Sequence, residues 1–168
     1  MAPSIQIIKL TESAVPFIRE LSLRVWPQTY ASIITAKQID YMMNMIYSED
    51  SLRNQIVNLG HQFITAYEGS EPMGFASYSP KVGDESTCRL HKIYVMPEAQ
   101  GKGVGKLMVD FILAEMDTMG ADKLELNVNR HNPARSFYER LGFSVVLEED
   151  IDIGNGYFMN DYVMRRKR

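Results

Sequence analysis

Between Val95 and Leu107 the chain reads Val-Met-Pro-Glu-Ala-Gln-Gly-Lys-Gly-Val-Gly-Lys-Leu. An apolar strand runs into a glycine-rich loop and then directly into an amphipathic helix. Gly101, Gly103 and Gly105 let the main chain turn sharply and approach a ligand with no Cβ in the way. The N–H groups of the helix's first turn then point outward, and the helix dipole favours negative charge there. A phosphate-bearing ligand suits such a loop.

Spacing separates three readings of it. A Walker loop needs Gly-x-x-x-x-Gly-Lys-Ser/Thr, but Gln100 stands five before Gly105 and Leu107 follows Lys106. A dinucleotide fingerprint needs Gly-x-Gly-x-x-Gly, and here its third glycine position is Lys106, with no βαβ unit opening the chain. The pattern Gln/Arg-x-x-Gly-x-Gly/Ala is met by Gln100, Gly103 and Gly105.

Two flanking segments extend this third pattern. Upstream lies the strand Leu90-His91-Lys92-Ile93-Tyr94-Val95-Met96-Pro97. Downstream lies Asn132-Pro133-Ala134-Arg135-Ser136-Phe137-Tyr138-Glu139-Arg140-Leu141-Gly142-Phe143, which fits Asn-x-x-Ala-x-x-Phe-Tyr-x-x-x-Gly-Phe. Taken singly, each piece has a plainer meaning. Asn132 and Pro133 read as a helix start, and Phe137, Tyr138, Leu141 and Phe143 read as packing residues. Together and in this order, from about Gly60 onward, they resemble the GNAT superfamily of acetyl-CoA-dependent acyltransferases.

Composition bounds the alternatives. At 168 residues, one domain spanning 1–168 is expected. A net charge of −3 offers no general attraction to nucleic acid. The basic end Arg165-Arg166-Lys167-Arg168 reads as a solvated tail whose first members balance Glu148-Glu149-Asp150. Cys88 is the single cysteine, so no disulfide framework and no thiolate metal site is expected. His61, His91 and His131 lack metal-ligand spacing. No apolar run approaches the ~20 residues a membrane span needs, and no secretory pattern opens the chain. Cytoplasmic residence is the expectation.

Periodicity gives an α+β order. A strand over Ser4 to Leu10 leads to a helix from Thr11 and Glu12 through Val25, which Pro27 ends or kinks. Further helices start near Thr35 and Ser48, the latter stopped by Gly60. Strands follow at His61 to Tyr67, Met73 to Ser79 and Thr87 to Val95, with turns at Glu68 to Pro72 and Pro80 to Asp84. A helix runs from the glycine loop to Gly120, a strand covers Lys123 to Asn129, and the Asn132 helix comes next. Strands Ser144 to Ile153 and Tyr157 to Met164 flank the hairpin signal Gly154-Asn155-Gly156. The resemblance implies a GNAT-like three-layer fold: a mixed, mostly antiparallel twisted sheet, helices on both faces and a splayed central strand.

It also implies chemistry. Main-chain groups of Ile93, Tyr94 and Val95 would pair with the pantetheine arm as an added strand, and the N–H of Ile93 or Val95 would polarise the thioester carbonyl. Gln100, Gly101, Lys102, Gly103, Val104, Gly105 and Lys106 would hold the pyrophosphate, with Asn132 on the pantetheine or capping its helix. Tyr138 would protonate the leaving thiolate, since a phenol keeps its proton at neutral pH yet yields it to a stronger base. The base stays open between His91 and a water relay: Arg89 stands near the place where many relatives carry glutamate. The first helices resemble those of polyamine and other small-amine acetyltransferases. Trp26 and Tyr30 would cover an ammonium, while Asp40, Glu49 and Asp50 either attract a polycation or complement helix dipoles. The implied partner is a small amine; a protein substrate and a non-catalytic CoA-binding role are the rivals, and a homodimer is compatible with the fold.

Overall fold

The computed structural model describes residues 4–168. Seven strands are hydrogen-bonded in the order β1-β2-β3-β4-β5-β7-β6, antiparallel wherever register is resolved except for β4 with β5. The mostly antiparallel mixed sheet matches the expectation. Residues group into two compact units: 1–79 with 92–112, and 80–91 with 113–168.

In the first unit, β1 (Ile5–Leu10) pairs with β2 (Gln62–Glu68), which pairs with β3 (Glu71–Lys81). A 3-10 turn at Glu12–Ala14 leads to α1 (Val15–Tyr30). The helix runs on through Pro27 rather than ending there, and Pro27 itself accepts from Ala31 N–H at 3.0 Å. The hydrogen bond a proline cannot give would have gone to Leu23, which is half exposed and within reach of water. α2 (Ala36–Ile46) and α3 (Glu49–Val57) start where their caps predict. Thr35 accepts from Gln38 N–H at 3.1 Å and Ser48 from Ser51 N–H at 3.2 Å. Val15, Ile18, Leu21, Leu52, Phe63, Ile64 and Phe75 form the core here.

β4 (Asp84–Val95) belongs to both units. It joins β3 through Val82 and Gly83, a tighter link than the Pro80 to Asp84 turn expected. Pro80 falls inside β3, near its end, where a missing N–H is tolerated. In the second unit β4 runs parallel to β5 (Lys123–Asn129), with Thr87↔Lys123 through Leu90↔Leu126 in register. The ladder stops there although both strands continue. α4 (Val104–Met119) ends before Gly120, at φ 73°, and α5 (Ala134–Arg140) precedes Gly142, at φ 91°. β6 (Ser144–Gly154) and β7 (Tyr157–Lys167) close a hairpin over Asn155 and Gly156, φ 55° and 78°. Leu124, Leu126, Val163 and Met164 are buried in this unit.

The basic end departs from the sequence expectation. β7 reaches Lys167, so Arg165 and Arg166 are strand residues, not a solvated tail. Arg165 pairs with Glu125, while Asp150 is taken by Arg130.

Candidate functional site

In the first unit, β4 ends at Val95, Met96 N–H is bonded to the Met73 carbonyl, and a 3-10 turn at Pro97–Ala99 delivers Gln100 in an extended conformation. Gly101 and Gly103 follow at φ 82° and 77°, left-handed values that favour glycine. Both are exposed, with nothing within 4 Å of where a Cβ would stand. Leu107 N–H bonds the Gly103 carbonyl at 3.1 Å, which makes Gly103 the residue on which α4 starts. The N–H groups of Val104, Gly105 and Lys106 therefore belong to the first turn, where an α-helix supplies no acceptor. Gly105 is the third glycine of the motif but lies within α4, not in the turn. Lys102 stands 3.9 Å from Glu68 and Lys106 2.7 Å from Asp110.

β4 carries two chemistries on its two faces. Cys88, Leu90 and Lys92 are buried, whereas Arg89, His91 and Ile93 are half-buried. Tyr94 shares the Lys92 face and joins an aromatic group with Trp26, Tyr30 and Tyr47. The Trp26–Tyr30 centroids are 4.3 Å apart and the Tyr30 and Tyr94 hydroxyls 3.1 Å. Trp26 and Tyr30 are thus brought together, but both are buried, and Tyr94 is the half-buried member. Burial pushes the Tyr47 hydroxyl well above its ordinary range.

Lys92 escaped the sequence reading. Its ammonium donates to Gln55 Oε1 at 2.7 Å and lies over the rings of Tyr47 and Phe63, at 5.4 and 5.6 Å. Among the described residues no carboxylate pairs with it. Burial pushes it down to about 7. Nearby His61 is held down at about 4 by burial and by Lys92. The available signal was a lysine in the alternating apolar row Cys88, Leu90, Lys92, Tyr94.

In the second unit, Asn132 Oδ1 accepts Ala134 N–H at 2.9 Å, but the cap position of α5 falls to Pro133, one residue later than the Asn132 cap expected. Tyr138 is buried on α5, its ring 5.3 Å from Phe137 and 5.9 Å from Phe143. Glu125 of β5, 3% exposed, is gripped by Lys81 and Arg89, each at 2.9 Å, and by Arg165 at 2.6 Å. Burial alone would raise its carboxyl, but these three cations hold it at about 2. With Asn127 and Glu149 they line a cleft of about 390 Å³. Nothing in local periodicity marks this network, because its members come from five strands. Among the described residues no group of three or more His, Cys, Asp or Glu could hold a metal ion, and no helix is long and apolar enough to cross a membrane.

Residues 30–165 match the family model described as an acetyltransferase (GNAT) domain. The chain belongs to the GNAT acetyltransferase family and is an N-acetyltransferase of that type. The spermidine N(1)-acetyltransferase of Thermoplasma acidophilum is 30% identical over 169 residues, covering 98% of each chain. The [ribosomal protein bS18]-alanine N-acetyltransferase of Haemophilus influenzae is 32% identical over 114 residues, covering 67% of this chain and 70% of its own. Among solved structures, the PaiA N-acetyltransferase of T. acidophilum in complex with coenzyme A superposes with a TM-score of 0.81 at 28% identity, over 98% of this chain and 99% of that one.

Proposed function

We propose that this protein moves the acetyl group of acetyl-CoA to a primary amine, and that the amine is a small one of the polyamine class. The observation that carries the cofactor part is the Gln100 to Lys106 loop: two left-handed glycines with open space about them, directly before a helix whose first-turn N–H groups have no acceptor within the helix. That geometry fits a diphosphate. Full-length similarity to a spermidine N(1)-acetyltransferase supports the polyamine part. Residues 1–168 act in this reading as one catalytic domain.

Bound acetyl-CoA supplies an activated thioester, and the protein's residues do the rest. Backbone groups of Ile93, Tyr94 and Val95 receive the pantetheine arm in strand fashion, and the N–H of Ile93 or Val95 polarises the acyl carbonyl. Gln100 to Lys106 hold the diphosphate, with Lys102 and Lys106 as further cations. Asn132 fixes the start of α5, and Tyr138 of that helix gives its proton to the departing thiolate. Trp26 and Tyr30 bear on the acceptor through Tyr94, the aromatic residue of their group nearest solvent. Acetylation of a protein amine is the second reading, favoured by the similarity to the bS18-alanine enzyme.

Initial rates against polyamines, amino acids and peptides test the acceptor class. Tyr138→Phe should lower kcat by about 100-fold while leaving the KM for acetyl-CoA unchanged. Unchanged turnover would remove Tyr138 from the mechanism, and preference for a peptide would replace the small-amine reading.

A further inference from the structure

One carboxylate in the second unit has a buried oxygen with nothing to bond. Asp161 of β7 is 3% exposed, and its Oδ1 has no hydrogen-bond partner among the described residues. Its Oδ2 accepts from Asn127 Nδ2 at 3.2 Å, and the same nitrogen donates to Glu149 Oε2 at 3.2 Å. The two acids face one another in register, Glu149↔Asp161 on β6 and β7. A carboxylate pair gathered around one amide, with an acceptor left over, lacks a cationic donor.

The amide's orientation is fixed from behind. Arg89 donates one nitrogen to Glu125 and the other to Asn127 Oδ1, at 2.9 and 2.8 Å. With its oxygen so engaged, Asn127 must turn both N–H bonds toward the acids. Nearby cations are already committed: Lys81, Arg89 and Arg165 to Glu125, and Arg130 to Asp150 and to the Glu149 and Asp161 carbonyls. Burial, and then the charge of Glu149, push the Asp161 carboxyl up, against the pull of Asn127, Arg130 and Arg89. A bound cation would relieve that repulsion. Glu149 and Asn127 line the 390 Å³ cleft; Asp161 does not, and is reached from the cleft only through these two. Asn127 is also the β5 residue just past Leu126, where the ladder with β4 ends.

We propose that Glu149 and Asp161, bridged by Asn127, form the subsite for an ammonium group of the acceptor, and that they select amines carrying more than one positive charge. This rests on the amine-acetylating reading above. Glu149 meets the ammonium from the cleft, and Asp161 is the second carboxylate behind it.

Calorimetry with spermidine, with a monoamine and with acetyl-CoA tests it, on wild type, Glu149→Gln and Asp161→Asn. Each substitution keeps shape and removes one charge. Spermidine affinity should fall about tenfold or more in both variants, with acetyl-CoA affinity held within about twofold. In turnover the acceptor KM should rise and the preference for spermidine over the monoamine should shrink. Unaltered spermidine binding in the variants overturns the subsite and leaves the amine reading standing. Equal loss of both ligands overturns it as a general structural effect. Wild type that binds acetyl-CoA but no amine overturns both the subsite and the amine reading, while the cofactor assignment survives. Should Asp161→Asn not fold, Glu149→Gln, at a half-buried residue, decides alone.

Discussion

Replacing Lys92 by methionine isolates the cost of one buried ammonium. In the folded chain this group loses its proton near pH 7, while an ordinary lysine keeps it to 10.5. Between those values the unfolded chain binds more protons, so stability rises with pH across the window; below 7 both states are charged and the full cost is present. Each pH unit inside the window is worth about 1.4 kcal/mol. Wild type should therefore gain about 2 kcal/mol on the variant between pH 7 and 9. At pH 7, Lys92→Met is relieved of about 4 kcal/mol of desolvation. It gives back about 1–3 kcal/mol because Gln55 Oε1 loses its donor. Methionine should thus be the more stable residue at pH 7 by about 1–3 kcal/mol, and at pH 9 the two should lie within about 1 kcal/mol of each other. His61 does not blur the comparison: held at about 4, it alters stability between there and its ordinary 6.5. Paired denaturant titrations at the two pH values read the gap directly. A gap that does not move with pH would refute the buried, unpaired cation.

Two further changes probe other parts of the fold. A Cβ at Gly74 would stand 2.5 Å from the Tyr94 carbonyl oxygen and 3.3 Å from Val95 Cα, so Gly74→Ala must displace β4 where the acyl arm is proposed to lie. A loss of about 1–3 kcal/mol in melting experiments and weaker acetyl-CoA binding by calorimetry are expected; full affinity would dissociate β4 from the cofactor. Glu125→Gln leaves Lys81, Arg89 and Arg165 crowded without their anion and should cost about 3–5 kcal/mol. Because Glu125 is held at about 2 against an ordinary 4.5, its contribution is full above 4.5 and lost as pH falls from there toward 2. The variant's acid-unfolding curve should be correspondingly flatter.

Much of this fold is written in local chemistry. Thr35 and Ser48 start helices because their oxygens replace missing acceptors, and Gly60 and Gly120 stop helices because they take left-handed turns cheaply. The Gly101 and Gly103 turn was legible for the same reason. Sequence reading faltered where a partner far along the chain decided the outcome. Pro27 reads as a stop or a kink, and α1 continues through it; Arg165 reads as tail, yet Glu125 on β5 draws it into β7. Lys92 and Asp161 are polar residues in strands whose alternation predicts burial without saying what awaits them there. Their meaning comes from Gln55 on α3, and from Asn127 and Glu149 on neighbouring strands.

The link made by Val82 and Gly83 looks dispensable, since Val82 is almost fully exposed and Gly83 only has to bend. Its side chain tolerates change, but its length does not. One residue gained or lost there would throw β4 out of phase, bringing an amine up where an imidazole now stands and swinging the Arg89 guanidinium away from Glu125. Drift at this corner should consequently be free in letters and frozen in count.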